Sequence, residues 1–239
     1  MLFFYVRHGD PIYKPDSLTE LGHEQARALS KRLAVYGLDE IYTSSSERAK
    51  MTAAPTCELL GITPTELDWC HEKYAHKQMG VKDEDGVRRW SFGISDMKTR
   101  FVSPEVVAMG SEWHKHPYFA DTAFSEGVQR VDTEADALMR SLGYEHDRKN
   151  GYYIEREKND KRIALFAHQG FGMLFLSSIM DIPFNIFSTK FNLSHSSMTV
   201  IDFHTSSNGI CIPKILQLAN DSHIYKEGIP TLYNNKLPI

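Results

Sequence analysis

Two tripeptides carry residue types suited to phosphate chemistry, Arg7-His8-Gly9 and His168-Gln169-Gly170. Each closes an unbroken apolar run, Leu2–Val6 in the first case and Ile163–Ala167 in the second. A third stretch, Ser44-Ser45-Ser46-Glu47-Arg48-Ala49, places an arginine in the first turn of a helix that follows a strand. Imidazole changes charge near neutral pH, so it can attack, donate or accept. Guanidinium keeps its charge and presents a planar fork that grips two phosphate oxygens at once. If these three strand ends are neighbours, two histidines and two arginines converge where helix N-termini add unpaired N–H groups and a positive dipole end. Such a hollow attracts a phosphate.

The elements that must position these groups follow from periodicity. Five consecutive bulky residues bounded by a Gly-Asp-Pro turn predict a strand covered on both faces, as in the middle of an α/β sheet. Ligands bind at the carboxyl edge of such sheets. Thr19 is placed to cap a helix with inward positions Ala26, Leu29, Leu33 and Tyr36, ended by Gly37. A strand at Glu40–Thr43 precedes a second helix with inward positions Ala49, Ala53, Thr56 and Leu60, closed by Gly61, and a strand near Thr65–Leu67. From 70 to 120 the periodicity fails; charges, glycines and aromatics mix, apart from a short helix opened by Ser103-Pro104-Glu105. This segment reads as a cap-like insertion over the sheet edge, since long loops in compact domains are usually functional. Ser125 is expected to cap a helix through Val128, Val131, Ala135, Leu138 and Leu142. Tyr152–Ile154 and Arg162–Ala167 read as a hairpin around the polar turn Glu157–Lys161, followed by a helix over Phe171–Met180. Met198–Phe203 and Ile210–Leu218 read as two late strands.

At 239 residues, 41% apolar and 24% charged, the chain fits one α/β domain, 1–239, with the insertion at about 70–120. A net charge of −4 without a basic block argues against nucleic acid as a partner. Three cysteines, an odd number with no CxxC pair, fit a reducing compartment. No apolar run approaches the ~20 residues of a membrane span, and the N-terminal run is too short for a signal peptide. The expectation is a cytoplasmic protein with no membrane contact, its oligomeric state left open, a homodimer included.

Taken in order, Arg7-His8-Gly9, Leu18-Thr19-Glu20-Leu21-Gly22-His23-Glu24-Gln25-Ala26, Ser44 with Arg48-Ala49 and Thr52-Ala53, Ala167-His168-Gln169-Gly170, and Ser196-Ser197-Met198-Thr199-Val200 resemble the histidine phosphatase superfamily, which is phosphoglycerate mutase-like. The resemblance implies a three-layer α/β/α fold with a mostly parallel central sheet. It implies His8 as a nucleophile that becomes phosphohistidine, with Arg7, Arg48 and His168 on the phosphoryl oxygens and Gln169 beside them. It also implies a carboxylic acid after the third strand that protonates the leaving alcohol. Glu72 matches that position and Glu126 is the second candidate. Such an acid must keep its proton near neutral pH, so burial should raise its pKa.

The departures carry information. Gln169-Gly170 stands where Gly-Gly is usual, Asp10-Pro11 where Glu-Thr or Glu-Ser is usual, and His76 where the family has a glycine four residues beyond the acid. Lys73-Tyr74-Ala75-His76 replaces the Arg-His-Tyr-Gly of the cofactor-dependent mutases, which favours transfer to water. The expected activity is therefore hydrolysis of a small phosphate monoester without metal or cofactor. Phosphoglycerate mutase activity and an inactive phosphate-ester binder are the alternatives. His114-x-His116 and the His71, His76 pair lack a third ligand at recognisable spacing, so cap packing explains them better than a metal site. Lys73, Lys77, Lys82, Arg88, Arg89, Lys98 and Arg100 alternate with Asp83, Glu84, Asp85 and Asp96, as on a solvated face.

Overall fold

The computed structural model describes residues 1–231 and Tyr233. The chain runs β1 (Leu2–Arg7), the hairpin β2 (Pro11–Tyr13) and β3 (Asp16–Leu18), α1 (Glu20–Tyr36), β4 (Glu40–Ser44), α2 (Glu47–Leu60) and β5 (Thr65–Leu67). The cap-like segment then supplies α3 (Glu72–Met79), the hairpin β6 (Gly80–Lys82) and β7 (Arg88–Trp90), α4 (Ser95–Phe101) and α5 (Pro104–Val107). The remainder is α6 (Phe124–Ser141), β8 (Tyr144–Asp147), β9 (Tyr152–Glu155), β10 (Arg162–Ala167), α7 (Gln169–Ile179), α8 (Phe184–Lys190), β11 (Met198–Asp202), β12 (Ile210–Cys211), β13 (Lys214–Asn220) and α9 (Ser222–Lys226).

The central sheet has the order β13-β11-β1-β10-β4-β5. β1, β10, β4 and β5 are parallel, and β11 is antiparallel to both of its neighbours. Strand pleating sends alternate side chains to opposite faces, and β1 uses both. Phe3 and Tyr5 pack with Ile163, Leu165, Phe171 and Phe175 on one side. Phe4 and Val6 pack with Leu29, Leu33, Ala53, Ala164 and Phe166 on the other. Two cores and two helical layers follow, in the three-layer arrangement expected. Because β1 and β10 are direct neighbours in register, with Arg7 opposite Ala167, the two histidine turns leave the sheet side by side.

Four local expectations are corrected. Tyr152–Ile154 and Arg162–Ala167 do not form a hairpin: β9 pairs with β8 and β12 in a separate small sheet, whereas β10 lies between β1 and β4. An all-apolar strand needs cover on both faces, which the central sheet supplies and a two-stranded ribbon cannot. Ile210–Leu218 is two strands, split at Ile212-Pro213, because proline has no N–H for the ladder. Ser125 lies inside α6; Ala123 occupies the N-cap position and the Ser125 hydroxyl meets His114 Nδ1 at 2.8 Å. Finally, 70–120 is short helices and a hairpin, not a loop, and its rings Phe101, Trp113 and Phe119 are buried with Phe124 and Phe184 as an extension of the main core. The α5 helix starts on Pro104, as the Ser-Pro-Glu signal predicts.

No helix among the described residues is long and apolar enough to cross a membrane.

Candidate functional site

The Arg-His-Gly turn is held by close backbone packing. A Cβ on Gly9 would sit 2.7 Å from the Gly22 carbonyl oxygen, and one on Gly22 would sit 2.2 Å from the Asp10 carbonyl oxygen. Both glycines are therefore required if the turn is to rest against the start of α1. Thr19 caps that helix, accepting from Gly22 N at 3.0 Å, and its hydroxyl donates to Asp10 Oδ2 at 2.8 Å. Asp10 thus faces the helix start and His195 (3.4 Å), away from the cleft lining.

His8 is buried, and its Nδ1 sits 2.7 Å from the carbonyl of its neighbour Gly9. A carbonyl only accepts, so Nδ1 carries the proton and Nε2 keeps its lone pair. Burial, then the charges of Arg7 and Arg48, hold the His8 pKa well below the ordinary imidazole value. The ring is neutral at physiological pH, with one defined free nitrogen.

His168 lies beside it, ring centroids 5.3 Å apart. Arg48 Nη2 donates to His168 Nδ1 (3.0 Å), which puts the His168 proton on Nε2, facing Ser44 Oγ at 2.8 Å. Its backbone is clamped by the buried Tyr5 hydroxyl, which donates to the His168 carbonyl (2.6 Å) and accepts from its N–H (3.2 Å). Burial, then His8 and Arg48, depress the His168 pKa strongly as well. Two neutral imidazoles beside two arginines form a site that favours an arriving anion.

Arg48 gains its direction from Asp16 of the β2–β3 hairpin. Asp16 Oδ1 accepts from Arg48 Nη1 (2.7 Å), and Asp16 Oδ2 accepts from the first N–H of α2 at Glu47 (3.0 Å). Arg7 donates to the Leu193 carbonyl and to His195 Nε2, both at 2.5 Å. Burial brings the Arg7 pKa down to about 10, which still leaves it charged.

Glu72 stands at the start of α3 and reaches across to α7. Its Oε1 accepts from Gly170 N (3.0 Å) and its Oε2 from Phe171 N (2.8 Å), satisfying two of the orphan donors at that helix start. Burial raises the carboxyl pKa, against the opposing pull of those two N–H groups and of the two arginines. Glu126 is exposed at the start of α6 and lines a different cavity, with Asp83, Asp96 and Asp121.

Together Arg7, His8, Tyr13, Arg48, His71, Glu72, Lys73, His76, Trp90 and Gln169 line one cleft of about 390 Å³ at the carboxyl edge of the sheet. His168 packs against its floor through His8 and Arg48. Among the described residues no group of three or more His, Cys, Asp or Glu side chains is arranged to hold a metal ion. The four residues predicted from the two tripeptides and Arg48 converge, Glu72 joins them, Gln169 lines the rim, and Glu126 does not take part.

Residues 3–211 match the family model of the histidine phosphatase superfamily, branch 1. The chain belongs to this superfamily. Solved structures with the same fold include an Entamoeba histolytica phosphoserine phosphatase in complex with phosphoserine, at 14% identity and TM-score 0.59 over 93% of this chain and 98% of that one. A mycobacterial glucosyl-3-phosphoglycerate phosphatase with inorganic phosphate matches at 16% identity and TM-score 0.59, over 93% and 98% of the two chains. No curated protein matches this chain by sequence.

Sequence reasoning missed Asp16, Tyr5, His71 and His195. His71 is adjacent to Glu72 and its ring lies 6.0 Å from that of His168. His195 immediately precedes the Ser196-Ser197 motif, and its ring lies 5.7 Å from that of His8. A histidine beside a recognised motif was the available signal in both cases.

Proposed function

We propose that this superfamily member is a phosphatase that hydrolyses a small phosphate monoester through a phosphohistidine on His8, without a metal ion. The observation that carries this reading is the state of His8: buried, neutral, its Nδ1 proton committed to the Gly9 carbonyl, and its ring in one cleft with Arg7 and Arg48 and beside the His168 imidazole. The solved phosphatases of the same fold support the class of reaction.

In the first step His8 Nε2 attacks phosphorus, an N–P bond forms and the ester P–O bond breaks. Arg7 and Arg48 hold the equatorial oxygens, where charge is spread in the transition state, and His168 joins them with the proton it takes up at Nδ1 when the phosphoryl dianion arrives. The departing alkoxide takes the proton of Glu72, whose raised pKa keeps that proton available. In the second step water attacks the phosphohistidine, gives its proton back to Glu72, and the N–P bond breaks to release phosphate. Positive charge bearing on the transferring group comes from Arg7 and Arg48.

The test is hydrolysis of p-nitrophenyl phosphate in the presence of EDTA. Turnover by the wild type and its loss in His8→Ala support the reading; no turnover, or turnover that EDTA abolishes, overturns it. Interconversion of phosphoglycerates that depends on added bisphosphoglycerate would reassign the protein as a mutase.

A further inference from the structure

The backbone around His8 is held peptide by peptide. The peptide that joins His8 to Gly9 is clamped at both ends: its carbonyl accepts from Ser196 N at 3.0 Å, and its N–H donates to the buried Thr52 hydroxyl at 3.0 Å. The next peptide carries the Gly9 carbonyl that takes the Nδ1 proton of His8, and its own N–H, on Asp10, donates to Gln25 Oε1 at 2.8 Å. The direction of that carbonyl decides which imidazole nitrogen of His8 is free. Thr52 and Gln25 lie inside α2 and α1 and are fixed by those helices. Ser196 has no such support. It sits in the turn before β11 at φ +60°, a left-handed conformation that a residue with a Cβ adopts only at a cost.

What holds Ser196 there is a row of hydrogen bonds whose directions are set by its outer end. Arg32 of α1 has donors only, so where its Nη1 meets His223 Nδ1 at 3.4 Å the imidazole accepts. His223 therefore carries its proton on Nε2, which faces Ser196 Oγ at 3.2 Å. The Ser196 hydroxyl receives there and gives its own proton to the Gln25 carbonyl at 3.3 Å. The row thus ends on the residue whose side chain holds Asp10 N. Ser196, His223 and Gln25 are buried, and the half-buried Arg32 is seated by Gln217 Oε1 at 2.7 Å and Asn220 Oδ1 at 2.5 Å. Burial and then the Arg32 charge bring the His223 pKa down to about 4, so the ring stays neutral and the row keeps its direction. Buried and fully paired polar rows of this kind fix one arrangement of the groups they join.

We propose that Ser196 and His223 are positioning residues for the nucleophile. His223 pins the Ser196 hydroxyl, the Ser196 N–H pins the His8 carbonyl, and the backbone so fixed keeps the Nδ1 proton of His8 on Gly9. Neither side chain lines the cleft, so both act through His8 and not on the substrate. The inference rests on reading His8 as the reacting imidazole and adds the residues that set its tautomer. It also gives α9 a definite part: this helix is five residues long, and it carries His223 into the interior beside the turn that precedes β11.

The test follows the His8 tautomer by nitrogen NMR of histidine-labelled protein, the His8 signals being assigned by their loss in His8→Ala, alongside steady-state kinetics on p-nitrophenyl phosphate. In His223→Leu, kcat is expected to fall about tenfold with KM within about twofold, because alignment for attack is lost and binding is not. The His8 ring should pass from the Nδ1–H form to a mixture of both tautomers. His223→Gln should restore both readouts, since its amide can donate to Ser196 and accept from Arg32. Ser196→Gly keeps the N–H, relieves the left-handed backbone and deletes the hydroxyl; it should reproduce the Leu variant, and it decides the matter if His223→Leu does not fold. A His8 signal that stays purely Nδ1–H in a folded His223→Leu or Ser196→Gly, or a kcat left at the wild-type value, overturns the inference, as does a Gln variant no better than Leu. If the wild type hydrolyses no ester, the phosphatase reading falls instead, and the tautomer measurement alone decides this one.

Discussion

Tyr5→Phe removes a single oxygen from the interior, and its consequence can be worked from the hydrogen bonds it breaks. The Tyr5 hydroxyl bridges the backbone N–H and carbonyl of His168, from a strand whose interior is wholly buried. The carbonyl retains a second donor, Gly172 N at 3.2 Å, but among the described residues the N–H has no other acceptor. One buried donor is therefore orphaned, at a cost of about 1–3 kcal/mol. In a chain of 239 residues each kcal/mol moves Tm by about 2–4 °C. The expected fall is thus roughly 2–12 °C, read by differential scanning calorimetry. Because the lost contact fixes the turn that carries His168, kcat on p-nitrophenyl phosphate should fall by more than KM changes. A Tm within about 1 °C of wild type would refute the reasoning, since even the low end of the orphaned-donor cost exceeds it.

Glu72→Gln should lower kcat by about 10²–10⁴-fold on an alkyl phosphate, whose leaving group needs a proton, and far less on p-nitrophenyl phosphate, measured by steady-state kinetics. The Glu72 pKa is raised and its protonated form is the active one, so wild-type kcat on the alkyl ester should decline as pH rises through that pKa; the Gln variant should lack this limb. His146, held between Asp136 at 3.0 Å and Asp181 at 2.9 Å, gives a stability prediction. Burial opposes its protonation, but the two carboxylates together raise its pKa above 6.5. A raised folded pKa stabilises fully below the unfolded value and is lost as pH climbs through the folded one. The Tm deficit of His146→Gln should therefore be larger at about pH 5.5 than at about pH 9, by thermal melts at each pH.

The parts of the fold that could be read from sequence are those whose reasons are local. β1 and β10 are uniform apolar runs, and only a central strand accommodates that pattern. The α1 and α2 faces repeat at helical spacing and end on Gly37 and Gly61, both at positive φ. The cap was illegible because its elements are mostly three to eight residues long and its order comes from distant partners; Phe101, for instance, packs on Phe184. β9 misled because a polar turn between two strand-like runs looks the same whether the runs pair with each other or with different sheets. At the site, His8, His168, Arg7 and Arg48 were legible because strand and helix boundaries deliver them. Asp16 was not, since its role depends on a hairpin folding over the start of α2. The Glu72 assignment came from the resemblance, and its contact with α7 is a feature of the tertiary structure alone.

The central claim is chemical: the phosphoryl group passes through His8. The most direct measurement is to quench the enzyme in alkali during turnover and locate the acid-labile phosphoryl group by peptide mass spectrometry. The account predicts one phosphorylated imidazole, at His8, accumulating when a good leaving group speeds the first step and leaves the second rate-limiting. A phosphoryl group on any other side chain, or continued turnover by His8→Ala, would contradict it.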